Sequence, residues 1–164
     1  MESYFVRPAQ RSDSEAIGWL WEELMNHHRL MDKRFTTGEG SRQRYVRHTQ
    51  EMIRSRDSRV LVAETDSEII GYLMGELQHR LPIALPGLYG FISDLYVREE
   101  YRRRGIGRAL YSGIYSWFID KGIVAIELYA AECNPESFQF WRSMGLEPFL
   151  RLMHLDTRGQ EIKK

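Results

Sequence analysis

The chain has 164 residues, of which 43% are hydrophobic and 28% are charged, a balance typical of a globular protein and not of a disordered one. Lys and Arg together number 23, as do Asp and Glu, so the zero net charge disfavours a uniformly basic nucleic-acid binder. Cys133 is the only cysteine, which excludes an intrachain disulfide and a thiolate metal cluster. No membrane-length apolar run and no signal-peptide pattern is found, so a cytoplasmic protein is expected. We also expect no bound metal.

The first third of the chain predicts one short strand and two helices. Residues 4–7 have the composition of a strand that ends at a proline. Residues 12–15 have the pattern of a capping box, and apolar residues follow at three- and four-residue spacing, which predicts an amphipathic helix. The glycines in residues 38–41 interrupt this helix before a second, arginine-rich helix that we expect to end near residue 55.

The middle of the chain predicts three strands. Residues 59–64 and 69–76 are β-rich runs joined by a polar turn, which favours a hairpin. Two prolines assign residues 79–87 to a loop, and residues 88–97 form the longest strand candidate.

The last third of the chain alternates helices and strands. Helices are predicted over residues 108–121 and 135–144, each followed by a glycine that can end it. Residues 124–129 form an apolar strand, and residues 146–155 supply one or two final strands. The order of elements is that of a mixed α/β sheet protein in a single domain, residues 1–157, with a polar tail over residues 158–164.

The most informative segment lies between the longest strand and the helix that follows it. It reads Arg102, Arg103, Arg104, Gly105, Ile106, Gly107 and Arg108. Glycines let the backbone approach a ligand closely, and the helix start directs unpaired N–H groups and a positive dipole towards an anion. The segment therefore predicts a phosphate cradle, with a solvated turn or a nucleic-acid contact as the alternatives that the arginines alone would allow.

Together with a second block, residues 134–146, this loop resembles the GNAT superfamily of acyl-CoA-dependent N-acyltransferases. The second block reads Asn-Pro-Glu-Ser-Phe-Gln-Phe-Trp-Arg-Ser-Met-Gly-Leu and follows the first by about thirty residues, as in that superfamily. The resemblance covers nearly the whole chain. It implies a mostly antiparallel central sheet of six to seven strands flanked by about four helices, with splayed central strands that form the coenzyme A cleft.

The resemblance also implies which residues hold acetyl-CoA. The amides of residues 103–108 would bind the pyrophosphate, the main chain of Leu95 and Val97 would align the pantetheine, and Asn134 would contact it or hold the loop. Phe140 would form a wall of the cleft, although Phe140 and Leu95 could equally be core side chains. The complete predicted cofactor set is Leu95, Tyr96, Val97, Arg102, Arg103, Arg104, Gly105, Ile106, Gly107, Arg108, Asn134, Phe140 and Trp141.

Attack of an amine on a thioester requires a neutral amine and a stabilised oxyanion. Asp94, in the strand that would align the thioester, is predicted either to accept the ammonium proton or to bind a cationic substrate. The main chain at Leu95 would polarise the thioester carbonyl. Glu76 and Phe35 complete the predicted substrate contacts. Glu127 is either a further acid in the site or a member of a structural ion pair.

The family pattern has a tyrosine where this chain has Trp141. An indole N–H donates a hydrogen bond but does not ionise usefully, so it cannot transfer a proton as a phenol does. Three alternatives follow. The thiolate leaves without a dedicated acid, or Tyr129, Tyr96 or Cys133 serves as the general acid in place of the tyrosine, or the domain catalyses poorly.

The sequence thus predicts an N-acetyltransferase that transfers an acetyl group from acetyl-CoA to a small cationic primary amine. The alternatives are a non-catalytic acyl-CoA-binding module and an enzyme that modifies a protein N-terminus or lysine. We expect no nucleic-acid or membrane partner, and a homodimer is favoured.

Overall fold

The computed structural model describes residues 3–66 and 68–157 and contains one five-stranded sheet and four α-helices in those residues. The predicted tail, residues 158–164, and Ser67 of the predicted turn lie outside the described residues. The strands are β1 (Phe5–Pro8), β2 (Ser58–Glu64), β3 (Ile69–His79), β4 (Leu88–Val97) and β5 (Ile126–Leu128). The helices are α1 (Ser14–Met31), α2 (Ser41–Arg54), α3 (Ile106–Asp120) and α4 (Pro135–Ser143). None of the described helices is long and apolar enough to cross a membrane.

The strands lie in the order β1-β2-β3-β4-β5, with antiparallel pairs throughout except for the parallel pair β4–β5. Successive side chains of a strand point to opposite faces of the sheet, and both faces are covered. Leu61, Leu73 and Ile92 pack on one face with α3 and Trp141 of α4. Val62, Tyr72 and Tyr96 pack on the other face with α1 and α2.

A β-bulge interrupts β4 near its middle. Met74 pairs with Asp94 whereas Gly75 pairs with Ile92, so Ser93 is an extra residue in β4. A bulge bends its strand and changes the direction of the side chains that follow. The Asp94 side chain consequently lies on the α1–α2 face, together with Tyr96.

β4 and β5 are paired only at the start of β4. Gly90, Phe91 and Ile92 pair with the three residues of β5, and β4 continues for five more residues. Among the described residues, no strand pairs with the β5-facing edge of residues 93–97. Pairing between the two strands therefore ends at Ile92 and Leu128, near the place where the family resemblance implies a cleft.

Two sequence predictions are wrong. The described sheet has five strands instead of six to seven, because residues 146–155 form no strand. Apolar alternation gives a segment strand propensity, but a strand also needs a neighbour to pair with. The capping box over residues 12–15 is also absent, since α1 begins at Ser14. Asp13 instead accepts hydrogen bonds from the Gln10 amide at 2.7 Å and from the Arg7 guanidinium at 2.7 Å.

Candidate functional site

The loop before α3 has the backbone of an anion-binding turn. Arg103 has a φ of 62° and Gly105 a φ of 85°, so two residues of the loop are left-handed. Gly105 is the N-cap of α3, and no side chain caps the helix there. The first N–H groups of α3 are thus left for another acceptor, and the positive end of the helix dipole points the same way.

The arginines of this loop divide into two groups. Arg102 Nε donates to the carbonyl of Val97 at 3.1 Å, and Arg104 Nη2 donates to the carbonyl of Glu100 at 2.7 Å, so these two side chains brace the loop. Arg103 and Arg108 are exposed to solvent. Arg103 and Arg108 are in none of the described ion pairs, so their guanidinium groups could attract a phosphate group.

Two further loop residues serve packing. Ile106 is buried in the core beneath α3. At Gly107 an added Cβ would lie 3.2 Å from the Phe140 ring, so the glycine lets α4 approach α3 closely. Phe140 is partly buried against the same core, which agrees with the packing alternative for this residue.

The open edge of β4 leads from this loop to Asp94. The side chains of Leu95 and Val97 pack against the core on the α3 face, and Tyr96 is buried on the opposite face. The side chains of Leu95 and Val97 are partly buried, so their main chain offers the more regular set of contacts at this edge. Main-chain groups that no strand pairs with are suited to an extended, amide-bearing ligand, with the exception of the Val97 carbonyl, which accepts from Arg102.

Asp94 is held by α2. The Tyr45 hydroxyl donates a 2.8 Å hydrogen bond to Asp94 Oδ2, and the Tyr72 hydroxyl lies 3.3 Å from that of Tyr45. Desolvation by burial raises the pKa of Asp94, while the Tyr45 hydrogen bond and the charge of His48 oppose the rise. A carboxylate with a raised pKa is better matched to accepting a proton near neutral pH than an ordinary aspartate is.

A cavity of about 360 Å³ opens on the α1–α2 side of Tyr45. Trp21 of α1 stacks on Tyr45 with ring centroids 4.5 Å apart and an interplanar angle of 11°. The lining residues are Trp21, Thr37, Ser41, Arg44, Tyr45 and His48. Tyr45 both lines this solvent-open cavity and donates to Asp94, whereas Asp94 is not itself a lining residue.

The other predicted substrate residues lie apart from this cavity. Glu76 lies two residues beyond Met74, the partner of Asp94, and its carboxylate accepts a 2.9 Å hydrogen bond from Gln78 Nε2. Phe35 packs against the His28 ring at 4.8 Å and does not line the cavity. Of these residues, Asp94 hydrogen-bonds to a residue that lines the cavity, whereas Glu76 and Phe35 are not among its lining residues.

Two predicted residues of the second block, Asn134 and Trp141, cap a helix and fill the core. Asn134 Oδ1 accepts a 3.1 Å hydrogen bond from the Ser137 amide and so caps α4. Trp141 is 8% exposed and meets the Tyr111 ring edge-on at 6.0 Å. Its indole thus fills the core between α3 and α4.

The candidate acids differ in their surroundings. Glu127 forms an ion pair with Arg80, which agrees with the structural alternative for this residue. Tyr129 is 80% exposed and packs edge-on against Phe91, and Cys133 is partly buried. Across residues 3–66 and 68–157, no group of three His, Cys, Asp or Glu side chains is arranged to hold a metal ion.

The sequence prediction missed Trp21, Tyr45 and His48. Trp21 was assigned to the apolar face of α1, and the arginines of α2 concealed the tyrosine and histidine that lie three residues apart on one side of it. An aromatic pair at this spacing in an otherwise polar helix is the signal that could have identified them.

Comparison with solved structures gives the same fold. A variant of the BH1408 protein from Bacillus halodurans superposes with a TM-score of 0.82 at 25% identity, covering 93% of this chain and 99% of that one. The aminoglycoside N-acetyltransferase AAC(6')-Iy in complex with CoA superposes with a TM-score of 0.78 at 16% identity, covering 96% and 97% of the two chains.

Curated relatives match a shorter stretch. Tyramine N-feruloyltransferase 4/11 of Nicotiana tabacum is 30% identical over 74 residues, or 45% of this chain and 33% of the relative. L-Ornithine N5-acetyltransferase NATA1 of Arabidopsis thaliana is 26% identical over 84 residues, or 51% of this chain and 36% of the relative. The chain thus matches about a third of the length of these relatives. The model of the acetyltransferase (GNAT) family matches residues 16–146, which is most of the chain, and together with the shared fold this shows that the chain belongs to the GNAT family.

Proposed function

We propose that the chain is an N-acetyltransferase that transfers an acetyl group from acetyl-CoA to a primary amine on a small cationic molecule. The observation that carries the proposal is the course of β4. Its open edge runs from the anion-binding loop to Asp94, and through Tyr45 to a cavity of about 360 Å³. A donor with a pyrophosphate and an extended amide arm fits the first part, and a small molecule fits the second.

Acetyl-CoA would supply the activated acetyl group, and the chain would hold it mainly with its backbone. The amides of residues 103–108 bind the pyrophosphate at the uncapped start of α3, with Arg103 and Arg108 adding positive charge. The main chain of Leu95 and Val97 pairs with the pantetheine amides. One restriction applies at Val97, where the carbonyl already accepts the hydrogen bond from Arg102.

The amine enters from the cavity and reaches the thioester beside Asp94. Asp94 accepts a proton from the ammonium group, which leaves the nitrogen lone pair free to attack the acetyl carbonyl. The main chain near Leu95 stabilises the oxyanion. The C–N bond forms, the C–S bond breaks, and the thiolate leaves and takes up the second proton that the attacking nitrogen loses.

Two features of the cavity bear on the acceptor. Trp21 and Tyr45 provide stacked aromatic surface for an apolar or aryl chain. Arg44 lines the other part and can pair with a carboxylate or polar group on the same molecule. The relatives include a tyramine N-feruloyltransferase and an L-ornithine N5-acetyltransferase; tyramine is an aryl amine and L-ornithine an amino acid, so both belong in a substrate panel.

The test is thiol release from acetyl-CoA with aryl amines, diamines and basic amino acids, for the wild type and for Asp94→Asn. We expect turnover with at least one amine, and a loss of kcat in Asp94→Asn with acetyl-CoA affinity unchanged. Glu127→Gln is the matched control, because its carboxylate pairs with Arg80 away from the cavity. Equal losses of kcat and affinity in Asp94→Asn would assign this residue to structure.

A non-catalytic acyl-CoA-binding module is the second candidate, and it rests on Trp141. The position that holds a phenol in the family pattern carries a buried indole here. Tight CoA binding without turnover of any amine in the panel would favour this candidate over the enzyme.

A further inference from the structure

A second cavity, of about 300 Å³, lies between the C-terminal ends of α2 and α3 and the start of β2. It shares no lining residue with the cavity beside Tyr45. Its apolar walls include Ile53, Val60 and Trp117, of which Trp117 is 7% exposed. Small-molecule sites have volumes of about 300–1,000 Å³, whereas one water occupies about 30 Å³ in the liquid. The cavity is therefore large enough for a small organic molecule.

Three positively charged side chains line the polar part of this cavity: Arg56, Arg59 and Lys121. None of the three enters an ion pair with a described residue, and no acidic side chain is among the lining residues. Arg59 Cζ lies 5.8 Å from the centroid of the Trp117 ring, and Lys121 Nζ lies 5.9 Å from the same centroid. Two like charges are thus held against one ring, and an anion between them would relieve their repulsion.

The ends of the helices account for only part of this charge. Cationic side chains stabilise the negative C-terminal end of a helix, and Lys121 Nζ donates a 3.2 Å hydrogen bond to the Arg56 carbonyl just beyond α2. Arg59 belongs to β2, and its guanidinium has neither an ion pair nor a hydrogen-bond acceptor in the described part of the chain. The neighbouring carboxylates of Asp57 and Asp120 are on exposed residues outside the lining. The N–H groups of Arg59 are therefore available to a ligand.

We propose that this cavity binds a small organic anion, a molecule that joins a carboxylate or phosphate group to an apolar body. Guanidinium groups bind both kinds of oxyanion through charge-assisted hydrogen bonds. Ser55 Oγ accepts from the Asp57 amide at 3.1 Å, which leaves its O–H to donate as well. Trp117 and Ile53 provide the apolar surface, and a bare inorganic ion would leave most of the volume unfilled. This binding does not rest on the proposed acetyltransferase activity.

The first experiment follows the indole N–H signals of the four tryptophans by NMR, with the Trp117 signal assigned from Trp117→Phe. Phenyl phosphate and benzoate are titrated, with phenol as the neutral control. We expect a saturable shift of the Trp117 signal with at least one of the two anions, with a Kd of about 1 mM or tighter. Phenol should bind about tenfold more weakly, because it lacks the charged acceptor. An equal response to phenol, or a Trp117 signal that neither anion moves, would overturn the proposal.

The second experiment repeats the titration with the better anion on Arg59→Gln and Lys121→Gln. Each variant removes one cation that faces the cavity, and we expect about tenfold weaker binding in both. Arg54→Gln is the matched control, because Arg54 is an exposed arginine in the last turn of α2 that does not line the cavity. Solvent screens such a charge, so affinity should change by no more than about twofold.

The two lining variants lie on different elements, so the test survives if one of them fails to fold. The spectrum without ligand reports folding in each case. Equal losses of affinity in all three variants would show a general electrostatic attraction and would count against a built site. Wild-type affinity in a folded Arg59→Gln would likewise contradict the assignment.

Discussion

Gly105→Ala and Gly122→Ala form a matched pair that tests whether the start of α3 binds acetyl-CoA. Both glycines have a left-handed backbone, with φ values of 85° and 73°, and they flank opposite ends of the same helix. Neither added Cβ would clash with a neighbouring residue. The nearest atom to a Cβ at position 105 is the Tyr4 hydroxyl at 3.5 Å, and nothing lies within 4 Å of one at position 122.

The two substitutions should therefore lower stability by the same mechanism. An L-residue in the left-handed region costs about 1–2 kcal/mol relative to its preferred conformation. For a chain of this size, each kcal/mol lowers Tm by about 2–4 °C, so each variant should melt about 2–8 °C below the wild type. Thermal unfolding followed by circular dichroism measures this loss.

Acetyl-CoA binding should separate the pair. In Gly105→Ala this cost is divided, because the strain that the free loop sheds by relaxing towards negative φ no longer lowers Tm but has to be restored, at the expense of binding energy, when the ligand binds. A penalty of 1–2 kcal/mol corresponds to about 5–30-fold weaker binding by isothermal titration calorimetry. Gly122→Ala should bind as the wild type does. Equal affinities in the two variants, with a smaller loss of Tm in Gly105→Ala that shows its free loop to have relaxed, would refute the assignment of the donor to this loop.

Three further outcomes follow from the packing around β4. Tyr45→Phe removes the hydrogen bond that holds down the pKa of Asp94, so the acidic limb of the kcat/KM profile should move to higher pH, and an unmoved limb would contradict the proposed role of Asp94. Burial raises the pKa of Asp94 above its ordinary 3.8, so its ionisation destabilises the fold as pH rises through that window. Asp94→Asn should accordingly be more stable than the wild type in urea at neutral pH, with the gain lost below about pH 3.8, and a gain that persists in acid would point to packing. Gly90→Ala places a Cβ 2.6 Å from the Phe118 ring and should lower the free energy of unfolding by about 1–3 kcal/mol. Gly87→Ala, with nothing within 4 Å, should cause no comparable loss on the same urea titration.

Local features of the sequence predict α3 and its loop well. Each signal is local: Gly105 begins the helix, apolar residues follow it at helical spacing, and Gly122 ends it. The pairs β2–β3 and β3–β4 were likewise predictable, because their strands follow one another along the chain and are joined by turns or a proline-containing loop.

Features that depend on a distant partner were predicted poorly. Residues 146–155 have the composition of a strand, but within the described residues they pair with none, although the outer edge of β5 is unpaired. Sequence spacing carries no information about such a partner. The capping box failed for a local reason, since the Asp13 carboxylate accepts from the Gln10 amide, three residues earlier, and pairs with Arg7, and α1 begins at Ser14.

The same division separates the two halves of the candidate site. Backbone groups of β4 and of the loop before α3 form the half that would hold the donor, so a contiguous motif is enough to identify it. The acceptor half is built from side chains on α1, α2 and β4, where Trp21, Tyr45 and Asp94 meet only because the sheet brings their elements together. Replacing those side chains leaves the backbone cradle in place. Acceptor preference can therefore change by substitution on α1 and α2 while the requirement for the same acyl donor persists. For this reason the donor can be predicted from the sequence and the acceptor cannot.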